Sequence, residues 1–232
     1  MATDLRSATL LPGPLKSAFL GWLDPVADWL IRAGLKPNGM TAAAFLILAA
    51  SGVAFGLSAL QLGAVLLLLS GVADLLDGKI ARRGAMMTRF GAFFDSVMDR
   101  IGEATVYTGL GVYFMTTHGQ RWPVLGLLAC FAILSSAFLV SYTRARAEGL
   151  GLDCRVGVAQ RAERVVGIGI PTLIWGAGPR GGLLLGIMAV LATLSGITVA
   201  QRIWYVYSIT RGEGPVAAAS TSPSPSTLET KQ

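Results

Sequence analysis

Apolar residues gather along this chain in six long windows, at about 40–57, 60–80, 90–115, 122–143, 160–177 and 183–209. As a helix each window can cross a hydrocarbon layer of roughly 30 Å. Ahead of them, from Leu15, the apolar residues Ala18, Phe19, Trp22, Leu23, Val26, Leu30 and Ala33 recur every three to four positions. Lys16, Asp24, Asp28 and Arg32 fill the opposite face. That period predicts an amphipathic helix, interrupted or bent at Pro25 and ended by Gly34. Such a helix either lies in the membrane interface with Trp22 and Trp29 at headgroup depth or packs beneath the bundle. The expected fold is all-α and integral to a membrane: six transmembrane helices plus an N-terminal amphipathic interfacial helix. Residues 1–39 form a tail and the juxtamembrane helix, and residues 40–210 form one six-helix membrane domain. Residues 211–232, rich in Pro, Ser, Thr and Ala, have the composition of a disordered tail.

Local signals mark the ends of these elements. Pro37 and Asn38, with Thr41, read as a helix start, and Thr88 reads as the cap of the third long helix. Gly52 and Gly56 make a small-xxx-small pair suited to close helix packing.

Composition and charge sharpen this picture. At 53% hydrophobic and 14% charged residues, the chain is too apolar for a soluble domain of its length. Of its 19 Lys and Arg, only Arg121 and Arg180 fall in loops of one face. The positive-inside rule therefore places the other loops and both termini in the cytoplasm, at a cell membrane. The net charge of +6 favours anionic headgroups or substrates, while no basic–aromatic pattern points to nucleic acid. Cys130 sits in an apolar helix and Cys154 in a cytoplasmic loop, so reduced thiols are expected. His118, the one histidine, belongs to an outer loop. No continuous apolar stretch precedes the first span, so no cleavable signal peptide is expected.

Candidate chemistry concentrates between Asp74 and Asp99. Asp74 with Asp77, and Asp95 with Asp99, are spaced three and four apart, which puts each pair on one helix face. A charge in an apolar segment costs about 2.5–3.5 kcal/mol on insertion scales, so it needs a counter-charge. Four carboxylates without a nearby His or Cys suit a hard cation such as magnesium, manganese or calcium. Gly78 and Gly91 leave room for a ligand or a helix close to the backbone, and the planar fork of Arg82 suits a phosphate. Glu103, one turn beyond Asp99, reads as structural, paired with Arg100 or an arginine of a neighbouring helix. Arg144, Arg146, Arg155, Arg161 and Arg164 crowd one cytoplasmic face. Arg202, inside the last apolar window, needs a partner such as a phosphate, unless it snorkels to the interface.

The run D-x2-D-G-x2-A-R-x8-G-x3-D-x3-D, carried by Asp74, Asp77, Gly78, Ala81, Arg82, Gly91, Asp95 and Asp99, resembles the signature of the CDP-alcohol phosphatidyltransferases. The resemblance covers about residues 20–210. It implies two divalent cations, Mg2+ or Mn2+, on Asp74, Asp77, Asp95 and Asp99, with Asp99 as proton acceptor. It also implies a CDP-linked lipid donor held by Pro37, Asn38, Gly39, Met40, Asp74, Asp77, Gly78, Arg82, Thr88 and Gly91, and a homodimer. Ser-Tyr-x-Arg-Ala-Arg-Ala-Glu-Gly from Ser141, followed by Gln160-Arg161-Ala162-Glu163-Arg164, looks like the phosphatidylinositol phosphate synthases within that family. There Arg144, Arg161 and Arg202 match residues that hold the phosphate of inositol phosphate. Arg144 stands where those enzymes commonly have Lys, and Gln160 and Ala162 replace a Glu and a Pro. The reaction implied is transfer of a phosphatidyl group from CDP-diacylglycerol to inositol phosphate with release of CMP. Glycerol 3-phosphate is the alternative acceptor, and a cation-coupled transporter is the alternative of another class.

Overall fold

A computed structural model describes residues 21–212. The expected C-terminal tail beyond Gly212 and the start of the amphipathic segment before Gly21 lie outside the described residues. Within them the chain is all-helical: α1 Asp24–Arg32, α2 Pro37–Gly56, α3 Leu60–Arg83, α4 Arg89–Thr116, α5 Pro123–Glu148, α6 Arg161–Trp175 and α7 Gly182–Thr210, with a 3-10 turn at Pro179–Gly181.

The helix ends follow from capping chemistry. Pro25 sits in the first turn of α1, and Gly34 follows that helix with φ +77°, a left-handed conformation that favours glycine. Pro37 opens α2 behind an extended Lys36, where Pro37 and Asn38 read as a helix start. The Thr88 hydroxyl accepts the Gly91 N–H at 2.9 Å, which caps α4 as anticipated.

Two contacts establish how the long helices alternate. Ser58, between α2 and α3, shares a hydrogen bond of 2.7 Å with Thr117 beyond α4. The Arg121 N–H before α5 donates to the Arg180 carbonyl before α7 at 3.2 Å. The α2–α3, α4–α5 and α6–α7 turns therefore share one end of the bundle, and the Asp motif lies at the other. Among the described residues four helices, Pro37–Gly56, Leu60–Arg83, Pro123–Glu148 and Pro179–Thr210, are long and apolar enough to cross a membrane. The protein is a multi-pass membrane protein, but the expected count of six spans is not met on length and composition. The first fifteen residues of α4 carry Asp95, Asp99, Arg100 and Glu103, and α6 has only 15 residues.

Helices α2 and α4 cross at glycines. A Cβ on Gly109 would land on the Gly52 carbonyl, and one on Gly52 would meet the Thr105 backbone. Gly109→Ala must therefore push the two backbones apart, and overpacking of this kind costs about 1–3 kcal/mol. The expected outcome is a lower unfolding midpoint in detergent than that of Gly186→Ala, where a Cβ meets nothing within 4 Å.

Helix α1 packs one face against α3, as the reading of a helix beneath the bundle expects. Leu23 and Ala27 are buried with Leu76 and Ile80 of α3. Asp24 pairs with Lys79 and with Arg83 at 2.7 Å, and Arg83 reaches Asp28 at 3.2 Å. Trp22 and Trp29 face outward, 84% and 61% exposed. The Lys79 hydrogen bond holds the Asp24 carboxyl below its ordinary range. That pairing stabilises the docked helix at neutral pH and is lost as pH falls through the lowered value.

Candidate active site

The floor of the site is built where α3 and α4 meet. Asp74 lies on α3, Asp95 and Asp99 lie on α4, and each offers a carboxylate oxygen within 4.8 Å of the others. These pairs sit on one face of each helix because of their three- and four-residue spacing. Thr41, Ala44, Phe45 and Leu48 of α2 close a pocket around Asp74, Asp77, Asp95 and Asp99, together with Met98 and Arg161. Asp77 lines this pocket without joining the group of three. Its Oδ2 accepts a hydrogen bond from the Thr41 hydroxyl at 2.9 Å, and Thr41 in turn donates to the Pro37 carbonyl as well.

The donor set fits a hard divalent cation. It offers carboxylate oxygens alone, and Asp95 Oδ1 is buried without a hydrogen-bond partner. Within the protein the counter-charge is Arg161, whose Nη1 bridges Asp74 Oδ2 at 2.8 Å and Asp99 Oδ1 at 2.9 Å. Arg100 adds a longer contact to Asp99 at 3.4 Å.

Local sequence explains why Arg161 arrives there. Gln160 and Glu163 form a capping box, with the Gln160 N–H donating to Glu163 Oε2 at 3.0 Å, so α6 starts at Arg161. The strand of loop before it is tied to α7. The Thr198 hydroxyl accepts from the Val158 and Ala159 N–H groups at 3.2 and 3.0 Å. Arg202 donates from Nε to the Val156 carbonyl at 2.9 Å and from Nη1 to the Val140 carbonyl.

The other expected site residues divide. Asn38, Thr88 and Gly91 come together at the starts of α2 and α4, since a Cβ on Gly91 would lie 3.0 Å from both Asn38 Oδ1 and Thr88 Oγ1. Pro37 opens the same helix, and Gly39 faces open space. Met40, next in the helix, packs its side chain against the cluster of Leu23, Ala27, Leu76 and Ile80. Arg82 is exposed and folds back over Gly78, leaving its Nη1 3.2 Å from where a Gly78 Cβ would be. Arg144 is half exposed and paired with Glu148 at 2.8 Å, within electrostatic reach of Arg202. Arg202 does not snorkel: it is 4% exposed, and its bonds to two backbone carbonyls give it partners other than the expected phosphate.

Four residues around the site carry less sequence signal than the Asp motif. Thr41 was read only as part of a helix start, although its place four residues after Pro37 puts it on the inward face. Gln160 and Glu163 carry the spacing of a capping box, which could have located Arg161. Arg164, three residues from Arg161 on the same face, is the neighbouring-helix partner of Glu103 at 2.6 Å. Both cysteines are free and buried, as expected of reduced thiols. Burial pushes the Cys154 thiol up, against the pull of Arg202.

Comparison with known proteins agrees with this geometry. The model of the CDP-alcohol phosphatidyltransferase family matches residues 34–209. The archaetidylinositol phosphate synthase of Methanothermobacter thermautotrophicus is 38% identical over 192 residues, covering 80% of this chain and 89% of that protein. The crystal structure of Mycobacterium tuberculosis phosphatidylinositol phosphate synthase with CDP-DAG bound is 31% identical, with a TM-score of 0.71, covering 84% of this chain and 98% of that one. The same enzyme in complex with manganese and citrate gives 32% identity and a TM-score of 0.69, over 79% of this chain and 88% of that one. With eight fixed motif positions in place, a helical bundle that gathers the motif's acids and a family match across most of the chain, this protein belongs to the CDP-alcohol phosphatidyltransferase family.

Proposed function

We propose that the protein transfers the phosphatidyl group of CDP-diacylglycerol to inositol phosphate, releasing CMP and forming phosphatidylinositol phosphate. The observation that carries this reading is the meeting of Asp74, Asp95 and Asp99 with Arg161 in one pocket. It is supported by relatives named for inositol phosphate products and by a solved relative with CDP-DAG bound. Two divalent cations, Mg2+ or Mn2+, would be held by Asp74, Asp95 and Asp99 with Asp77 as the fourth carboxylate. They would supply charge neutralisation on the diphosphate and on the departing CMP oxygen.

The protein's own groups do the rest. Asn38, Thr88 and Gly91 form the mouth through which the CDP diphosphate approaches, with Pro37, Gly39 and the Met40 backbone beside it and Arg82 and Gly78 across from it. An acceptor hydroxyl attacks the lipid-bearing phosphorus, its bond to the CMP oxygen breaks, and Asp99 takes the hydroxyl proton. Arg161, with Arg144 and Arg202 behind it, offers fixed positive charge to the acceptor's own phosphate. A neutral alcohol would make no use of that charge, whereas a phosphorylated one gains from it once cations take over the carboxylates that Arg161 now balances.

All six long helices cross the membrane in this reading, because α4 and α6 connect turns at opposite ends of the bundle. The Lys- and Arg-rich end, with the active site and both termini, faces the cytoplasm at the plasma membrane. A homodimer is part of the reading, carried by the resemblance to the family. The test is CMP release by the purified protein from CDP-diacylglycerol with each acceptor in turn. Turnover with inositol phosphate well above that with glycerol 3-phosphate or free inositol is expected. Release with glycerol 3-phosphate and none with inositol phosphate would refute the choice of acceptor.

A further inference from the structure

Behind Arg161, away from the carboxylates, lies a second buried charge pair. Glu103 stands one turn after Asp99 on α4, and Arg164 stands one turn after Arg161 on α6, so the two helices face each other through two acid–arginine rungs. Glu103 Oε1 accepts from Arg164 Nη2 at 2.6 Å and Nε at 3.2 Å. The two residues are 5% and 2% exposed. A small cavity, about 10 Å³, is lined by Glu103, Tyr107, Arg161 and Arg164 together with apolar Leu48, Leu67, Val106, Val165 and Ile168. Three atoms of these residues, Glu103 Oε2, Arg161 Nε and Arg164 Nη1, are buried without a hydrogen-bond partner. One acceptor and two donors around a space of this size match the needs of a single ordered water, which takes two to four polar partners.

We propose that Glu103 and Arg164 are positioning residues for Arg161, acting through one water that joins Glu103 Oε2 to Arg161 Nε and Arg164 Nη1. The first rung of the ladder is then held by the second. Arg161 Nη1 is fixed between Asp74 and Asp99, where it serves as the counter-charge of the carboxylates, and its remaining donors are aimed by the water on Nε. A pair meant only to join two helices could be replaced by apolar side chains of similar volume with little loss. A pair that aims Arg161 could not.

The inference rests on the reading of Arg161 above, so its main test does not depend on the acceptor. The double variant Glu103→Leu with Arg164→Met removes both charges without leaving one unpaired, and Glu103→Gln removes one. Mn2+ half-saturation is read by the thermal shift of the purified protein with no substrate present. A loosened Arg161 competes less well for Asp74 and Asp99, so the double variant should bind Mn2+ several-fold more tightly than wild type, as should Arg161→Gln. Glu103→Gln should move in the same direction. If the double variant folds and its Mn2+ half-saturation equals that of wild type while Arg161→Gln shifts, the proposal is overturned. If the double variant does not fold, Glu103→Gln and Glu103→Asp decide, with Asp expected nearer to wild type. A Glu103→Gln value equal to wild type would likewise overturn it. In turnover assays the same variants should raise the acceptor KM at least fivefold and leave the CDP-diacylglycerol KM within twofold. Equal changes in both would contradict a role through Arg161. Failure of wild type to use inositol phosphate would sink the acceptor assignment while leaving the Mn2+ comparison intact.

Discussion

Asp99→Asn should lower kcat for CMP release by about 10²- to 10⁴-fold, the range expected when a positioned general base is removed. In the proposed mechanism Asp99 is both a metal ligand and the proton acceptor; its oxygen lies in the group with Asp74 and Asp95, and its charge is balanced by Arg161 at 2.9 Å and Arg100 at 3.4 Å. The amide is nearly isosteric and Arg161 keeps its second partner, Asp74, so the unfolding midpoint should stay close to that of wild type. The measurement is CMP formed per enzyme at saturating donor and acceptor, over a range of Mn2+ concentrations. A rate within threefold of wild type at saturating Mn2+ would take Asp99 out of the mechanism.

Arg161→Gln should lower kcat/KM for the phosphorylated acceptor by about 10²-fold. Losing one partner of a buried, hydrogen-bonded charge pair in a complex costs about 2–5 kcal/mol of binding, and each 1.36 kcal/mol of transition-state stabilisation is tenfold in rate. The lower part of that range is appropriate because divalent cations would take over part of the charge balance at Asp74 and Asp99. Arg161→Lys should recover only part of the loss, since a point-like ammonium cannot span two carboxylates and an acceptor phosphate as a fork does. The effect should fall on the acceptor KM, with the CDP-diacylglycerol KM little changed. A uniform drop for both substrates would point instead to a collapsed pocket.

What the chain announced in advance and what it concealed follow one physical divide. Features set by neighbours within a helical turn or two were legible. The spacing of Asp74, Asp77, Asp95 and Asp99 placed each pair on a common face, Thr88 capped its helix and Gly34 stopped one. The apolar face of α1 was only partly so: Leu23 turned inward, but Trp22 and Val26 of that face are exposed and Ala27, outside it, is buried. Features that depend on which distant element comes alongside were hidden. Nothing near Glu103 distinguishes Arg164 from Arg100 or Arg161 as its partner, because the choice is made by the crossing of α4 and α6 across 61 residues. Asp77 was read as a ligand like the other three, yet Thr41, 36 residues away, engages it. Arg202 was read against a phosphate or the interface because backbone carbonyls such as those of Val140 and Val156 carry no mark in a sequence. The six windows were correctly located, but the acids of α4 and the shortness of α6 left four helices apolar and long enough by themselves.

Location of bound Mn2+ addresses the central claim most directly. In crystals of the purified protein grown with Mn2+, anomalous scattering should show ions coordinated by oxygens of Asp74, Asp95 and Asp99, with Arg161 Nη1 displaced from between Asp74 and Asp99. Ions held elsewhere, or none at these carboxylates under conditions where the protein releases CMP, would contradict the account.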